Sequence, residues 1–405
     1  MSLEKLWTKD FIILFTISFL ASLQFMLGIT VMASYAIETF GSSASIAGLL
    51  SGVYVIGALF GRLGTGRVIE DLQSKRVLII GSILYGITTA LYLPTISLLF
   101  LIINRFMNGV FFGIVATAAA TMIAQIIPLS RQGEGISYYT LNAILAMAIG
   151  PFLGILLVQY SDFRIIFVCN TIFAVISLIL ALVVQKPIQA AVKASGTNPV
   201  NRWNLAHFFE ARAIPIASVS MIIGLVYSSI LTFLPLYSAH LHLEKAASFF
   251  FAVYAVVILV SRPISGRLFD TRGANIVVYP SLLILAAGML LYSQTNHAGT
   301  MLLAAAIIGL GYGNYHSCAQ AISIKVTPPN GYGRATATYF AFYEVGLGGG
   351  PYVCGYIFPF IGWSNLYLMM AIVVMGALLL YYYVHGRREQ QMYYRPQQEL
   401  LGEVE

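Results

Sequence analysis

Long apolar runs follow one another almost from end to end of this chain, separated by short polar stretches. They cover residues 11–35, 45–65, 77–97, 99–124, 135–158, 164–184, 213–237, 246–265, 276–294, 300–324, 334–358 and 364–385. A helix needs about 20 apolar residues to cross the ~30 Å hydrocarbon layer of a bilayer at ~1.5 Å per residue, and each run supplies roughly that. The runs are continuously apolar, whereas the strands of a membrane barrel alternate polar and apolar positions. The pattern therefore predicts an all-α membrane protein with about twelve transmembrane helices. The first run follows Lys5, Lys9 and Asp10 but far exceeds the ~7–15 apolar residues of a secretory signal, so an uncleaved first span is expected.

Composition agrees: 59% of the 405 residues are hydrophobic, 9% are charged, and the mean hydropathy is +0.84, where a soluble protein carries roughly 25% charged residues. Of the 22 Lys and Arg residues, nineteen fall in loops and tails on one side of the predicted spans. Arg164 and Lys245 fall on the other side, and Arg105 lies inside a span. By the positive-inside rule the basic side, with both termini, is expected to face the cytoplasm across the inner (cytoplasmic) membrane. The net charge of +7 is then a topological signal, and no nucleic-acid partner is implied. Cys169, Cys318 and Cys354 all fall in predicted spans, so no disulfide framework is expected.

Self-comparison gives one constant offset of 200 residues. Arg62, Gly66 and Arg67 recur as Arg262, Gly266 and Arg267, with Glu70 matched by Asp270. Gly109 and Gly113 match Gly309 and Gly313, Tyr139 matches Tyr339, and Gly150-Pro151 matches Gly350-Pro351. An ungapped register over about 100 residues predicts two pseudo-symmetric six-helix halves, the parallel repeat by which a transporter alternates access. The expected organisation is an N-terminal half at 1–185, a polar cytoplasmic linker at 186–212, a C-terminal half at 213–386 and a polar cytoplasmic tail at 387–405.

Three motifs stand out. Gly66-Arg67-Val68-Ile69-Glu70 with Arg76, repeated as Gly266-Arg267-Leu268-Phe269-Asp270, joins glycine to an acid and basic residues in cytoplasmic loops. Glycine there permits close packing, and the acid can pair with an arginine or a helix N-terminus. Arg105 and Asn108 lie in the fourth span, where a buried guanidinium costs several kcal/mol unless it is partnered; packing against carbonyls and Asn108 is the plainer reading. Gly150, Pro151 and Gly154 in the fifth span combine a helix-breaking proline with glycines that let a neighbour approach, which symmetric bending of both halves would also explain.

These motifs resemble those of the major facilitator superfamily from about residue 10 to 386, and most nearly its twelve-span drug:proton antiporters. Gln73 stands where that pattern has glycine, and Glu70 where it usually has Asp. The resemblance implies a cytoplasmic gate at the Gly-Arg-acid loops, proton coupling near Arg105, and export through the motif at Gly150, Pro151 and Gly154.

Glu344 is the one acid well inside a predicted span. A charged, unpartnered carboxylate is costly there, which suits a group that gains and loses a proton, so Glu344 and Arg105 are the expected coupling residues. Contact with a cationic substrate is the other reading of Glu344. Asn108, Tyr139, Asn142, Asn314, His316, Gln320, Tyr339 and Tyr343 are the substrate-cavity candidates, and the many Tyr and Phe suit a lipophilic or aromatic substrate. His240 and His242 with Glu244 form only a weak metal motif, and no metal is expected. No phosphate loop, metalloprotease helix or nucleophile elbow is present. The expected protein is thus no enzyme but a monomeric, cofactor-free secondary transporter driven by a proton gradient, exporting small amphipathic molecules such as drugs or a metabolite. An importer or symporter, or an exporter of one polar product such as a chelating metabolite or sugar, is the alternative. An integral-membrane enzyme or assembly factor is the remote one.

Overall fold

The computed structural model describes residues 6–68, 73–94, 96–128, 132–185, 209–327 and 332–389, which are almost wholly helical. Eleven α-helices follow in order: α1 (Lys9–Phe40), α2 (Ala44–Val68), α3 (Ser74–Ala90), α4 (Leu98–Ile126), α5 (Gln132–Tyr160), α6 (Phe163–Val183), α7 (Ile214–His240), α8 (Glu244–Arg272), α9 (Asn275–Ser293), α10 (Ala298–Lys325) and α11 (Tyr332–Val384). α11 runs for 53 residues through the last two predicted spans and is interrupted at Gly362 (φ 76°). A left-handed residue bends the chain there at a position that only glycine adopts freely. Among the described residues, nine of the helices are long and apolar enough to cross a bilayer, counting α11 once. α3 is short at 17 residues, so the count of twelve rests on how α3, α10 and the two arms of α11 are divided.

Helix boundaries follow local chemistry. Thr8 caps α1 by accepting from the Phe11 N–H at 3.3 Å, and Gly41 (φ 61°) ends it. Ser97 caps α4 in the same way, and His297 with Thr300 forms a reciprocal capping box on α10. Large apolar side chains such as Ile172, Val175, Ile176 and Ile179 of α6 remain exposed. A hydrophobic surface of that kind suits lipid rather than water.

The chain forms two compact units. The first comprises Met1–Asn198, Leu231–Ala252 and Pro351–Tyr356; the second comprises Pro199–Ile230, Val253–Gly350 and Ile357–Glu405. The 200-residue register has a direct physical cause within them. In the first unit a Cβ on Gly109 would come within 2.1 Å of the Tyr54 carbonyl oxygen, and one on Gly113 within 2.3 Å of that of Ala58. In the second, a Cβ on Gly309 would meet the Tyr254 carbonyl oxygen at 2.8 Å, and one on Gly313 the Ile258 side chain at 2.4 Å. The same glycines therefore seat α4 on α2 and α10 on α8.

The start of the expected polar tail is structured. Gly386–Arg388 form a 3-10 turn, and the carboxylate of Glu389, 6% exposed, accepts from the N–H groups of Ala274 and Asn275 (3.0 Å to Asn275) at the start of α9. Gly273 (φ 92°) ends α8, and a Cβ there would collide with Glu389 at 2.6 Å. Asn275 closes the clip by donating to the Gly386 carbonyl at 2.8 Å and accepting from Tyr381 at 2.8 Å. A carboxylate suits the helix N-terminus because it satisfies exposed N–H donors and the helix dipole together. Glu389→Ala is expected to destabilise the purified protein by about 1–2 kcal/mol, the scale of a lost helix cap, read as a lower thermal midpoint in detergent. An unchanged midpoint would show that the clip is incidental.

Candidate functional site

In the first unit, α4 buries Arg105 at 2% exposure. Its Nε donates to the Leu50 carbonyl at 3.1 Å and its Nη1 to the Tyr92 hydroxyl at 3.5 Å. The guanidinium lies 4.5 Å from the centre of the Tyr54 ring, where the electron-rich face stabilises a cation. These described partners are a carbonyl, a phenol and a ring, none of them an anion. Asn108, one turn along, donates to Thr88 and Thr89 at 2.9 and 3.1 Å and accepts from Tyr92 at 3.2 Å. Both its amide hydrogens thus serve α3.

Tyr139 and Asn142, on α5, face α1. The Tyr139 hydroxyl lies 2.9 Å from Ser18 Oγ, and Asn142 accepts from Ser22 at 3.3 Å and donates to the Tyr139 carbonyl. The glycines of the fifth span press α5 onto the same helix. A Cβ on Gly150 would stand 2.6 Å from that of Met26, and one on Gly154 3.0 Å from Val31, with Pro151 between them inside the helix. At both glycines α5 lies close against α1.

The gate motif fares differently. Glu70 lies outside the described residues, Gly66 and Arg67 fall in the last turn of α2, and Asp270 lies near the end of α8. Arg76 is exposed on α3. Gly266 has nothing within 4 Å of a built Cβ, so close packing does not explain it. α8 runs straight past Gly266 and Arg267 to Arg272, and the glycine that ends it is Gly273.

In the second unit, α7, α8, α10 and α11 bring together an aromatic and polar cluster. Tyr227 stacks on Tyr312 at 4.1 Å between ring centres, Tyr254 flanks both at 6.0 and 6.2 Å, and the Tyr312 and Tyr343 hydroxyls are hydrogen-bonded. The Tyr254–Tyr312 pair repeats Tyr54–Phe112 of the first unit, which are 5.7 Å apart. His316 lies against Tyr312, Tyr343 and Phe340 at 5.6, 4.7 and 6.4 Å. The Tyr339 hydroxyl donates to the His316 carbonyl at 3.0 Å and also touches His316 Nδ1 at 2.9 Å. One phenolic hydrogen cannot serve both at once, and the roles in the second contact are set by the tautomer of the ring.

Asn314 accepts from Ser265 and Ser261 of α8 at 2.8 and 3.3 Å, and Gln320 is half-buried one turn beyond His316. Glu344 follows Tyr343 on α11 at 5% exposure. α11 reaches α7 through Gly346, whose Cβ would fall 1.9 Å from the Met221 carbonyl oxygen.

The structure thus gathers Asn314, His316, Tyr339 and Tyr343 in the unit that holds Glu344, and groups Arg105 with Asn108 in the other. Tyr227 and Tyr312 belong to the first group and Tyr85, Tyr92, Gln24 and Asn170 to the second, and none of these six was expected. Polar side chains inside apolar spans were the available signal for Gln24 and Asn170. Among the described residues no three His, Cys, Asp or Glu side chains gather as a metal site; His240 ends α7 and His242 adopts a positive φ of 56°.

The chain matches the family model of the Major Facilitator Superfamily over residues 14–314 and 247–400. An uncharacterized MFS-type transporter of Methanocaldococcus jannaschii is 24% identical over 373 residues, covering 91% of this chain and 94% of that one. The fold is similar to that of the nucleoside transporter NupG, at a TM-score of 0.76 and 15% identity over 93% of this chain and 100% of that one. It is also similar to a POT family transporter in complex with 5-aminolevulinic acid, at a TM-score of 0.78 and 12% identity over 95% and 96% of the two chains.

Proposed function

Since this chain belongs to the Major Facilitator Superfamily, and so is a multi-pass secondary transporter rather than an enzyme, we propose that it is a proton-coupled exporter of small amphipathic molecules. The observation that carries this reading is Glu344, an acid buried to 5% exposure inside α11 and next in sequence to Tyr343, whose hydroxyl is hydrogen-bonded to that of Tyr312. Protons are the coupling ion that a buried carboxylate handles most directly, because protonation removes the charge that makes its burial costly. His316 lies against Tyr312 and Tyr343, and these tyrosine and imidazole planes suit an aromatic, partly polar substrate. Arg105 is the second coupling residue.

Export as the direction rests on the resemblance of the motif at Gly150, Pro151 and Gly154 to that of the drug:proton antiporters. The charge bias of the loops supports placement in the cytoplasmic membrane with both termini inside.

The test is transport by the full chain in proteoliposomes with an imposed pH gradient, using cationic dyes, antibiotics, chelators and nucleosides. In an antiporter, protons leaving an acidic lumen drive substrate in, so an acidic interior should cause accumulation whichever way the protein inserts. Accumulation only with an acidic exterior would establish symport instead, and flux indifferent to pH would remove proton coupling.

A further inference from the structure

Three buried polar atoms of the first unit belong to residues that line one small pocket. They are Gln24 Oε1 from α1, Arg105 Nη2 from α4 and Asn170 Oδ1 from α6. Their residues are 4%, 2% and 5% exposed, and none of the three atoms meets a hydrogen-bond partner among the described residues. An unmade hydrogen bond at a buried polar atom costs about 1–3 kcal/mol, so three at one place call for a ligand. The Gln24 Nε2 already donates to the Leu20 carbonyl at 3.2 Å, which leaves its oxygen turned elsewhere.

The pocket volume is about 10 Å³, the room a single water requires. Gly28 keeps it open, since a Cβ there would stand 3.1 Å from Arg105 Nη1. Hydrogen-bond parity selects the occupant. Arginine offers only N–H, and the unsatisfied buried atoms of the two amides are both carbonyl oxygens. A halide would accept from Arg105 but face two oxygen lone pairs, whereas water accepts once and donates twice.

We propose that this pocket is a site for one ordered water that accepts from Arg105 Nη2 and donates to Gln24 Oε1 and Asn170 Oδ1. The water completes the coordination of the guanidinium and ties α1 and α6 to α4. It makes Gln24 and Asn170 positioning residues for Arg105.

Hydroxyl-radical footprinting of the full chain in nanodiscs, pulsed on the millisecond scale in ¹⁸O water, tests this. A bound water delivers radicals locally, so Met32 in the pocket wall should take up ¹⁸O several-fold faster than Met122, although both are fully buried. Asn170→Leu should bring Met32 down to the Met122 rate, while a variant that merely loosens the fold would raise both. Equal labelling of the two methionines in the unaltered protein would overturn the proposal. So would an anomalous peak in this pocket after bromide exchange in crystals, which would make it an anion site.

Discussion

Glu344→Gln is expected to abolish accumulation driven by a pH gradient while leaving downhill substrate exchange intact. Glutamine keeps the shape and most of the hydrogen-bonding capacity of a protonated glutamate but cannot release a proton. Glu344 is 5% exposed within α11, in the unit that carries Tyr312, Tyr343, His316 and Tyr339, so a neutral isostere should fold and reach the membrane. If the carboxylate carries the proton, the variant is locked in its protonated state, and flux against a substrate gradient should fall to background. The equivalent position of the first half is Ile144, so the repeat does not require an acid for packing. A Gln variant that still concentrates substrate as well as the parent would move the proton site elsewhere, with Arg105 and its neighbours next in line. Loss of both gradient-driven and downhill flux would instead assign Glu344 to substrate binding.

The second large effect concerns the glycine seams. Gly109→Ala places a methyl 2.1 Å from the Tyr54 carbonyl oxygen, and Gly309→Ala places one 2.8 Å from that of Tyr254. Backbone cannot turn aside as a side chain can, so α4 must part from α2, or α10 from α8. Overpacking typically costs about 1–3 kcal/mol, and Gly109, with the shorter contact, should lose more. Gly64 and Gly266 are the controls, since both lie in helices with nothing within 4 Å. Alanine there gains on helix propensity by up to about 1 kcal/mol. Thermal midpoints in detergent should therefore fall for the first pair and hold or rise for the second. The seam explanation fails if all four variants behave alike.

The fold was largely legible because apolar length and the 200-residue register are one-dimensional signals. The register proved to record contact geometry: matched glycines meet matched backbone at Tyr54 and Tyr254. What could not be read was anything set by facing. In helices apolar nearly all round, periodicity does not say which side a residue takes. That Asn108 donates to Thr88 and Thr89 of α3, and that Gln24 and Asn170 line a pocket with Arg105, is set by such facing. The Glu389 clip was equally hidden, because its two ends lie 115 residues apart and its acid sits among the charges of a polar terminus.

The confinement of the buried guanidinium to one half has an electrical consequence. Ala305 occupies the position equivalent to Arg105, so the duplicated scaffold carries a positive charge at this position on one side only, and an arginine keeps its charge throughout the physiological range. Moving a unit charge through a full 100 mV drop takes about 2.3 kcal/mol, so a shift of α4 through a tenth of the field involves only about 0.2 kcal/mol. Voltage therefore has little grip on Arg105 itself. It acts on whatever crosses the whole membrane, so one proton exchanged for one monovalent cation would be electrically silent, while exchange for a neutral molecule would carry one charge per turnover.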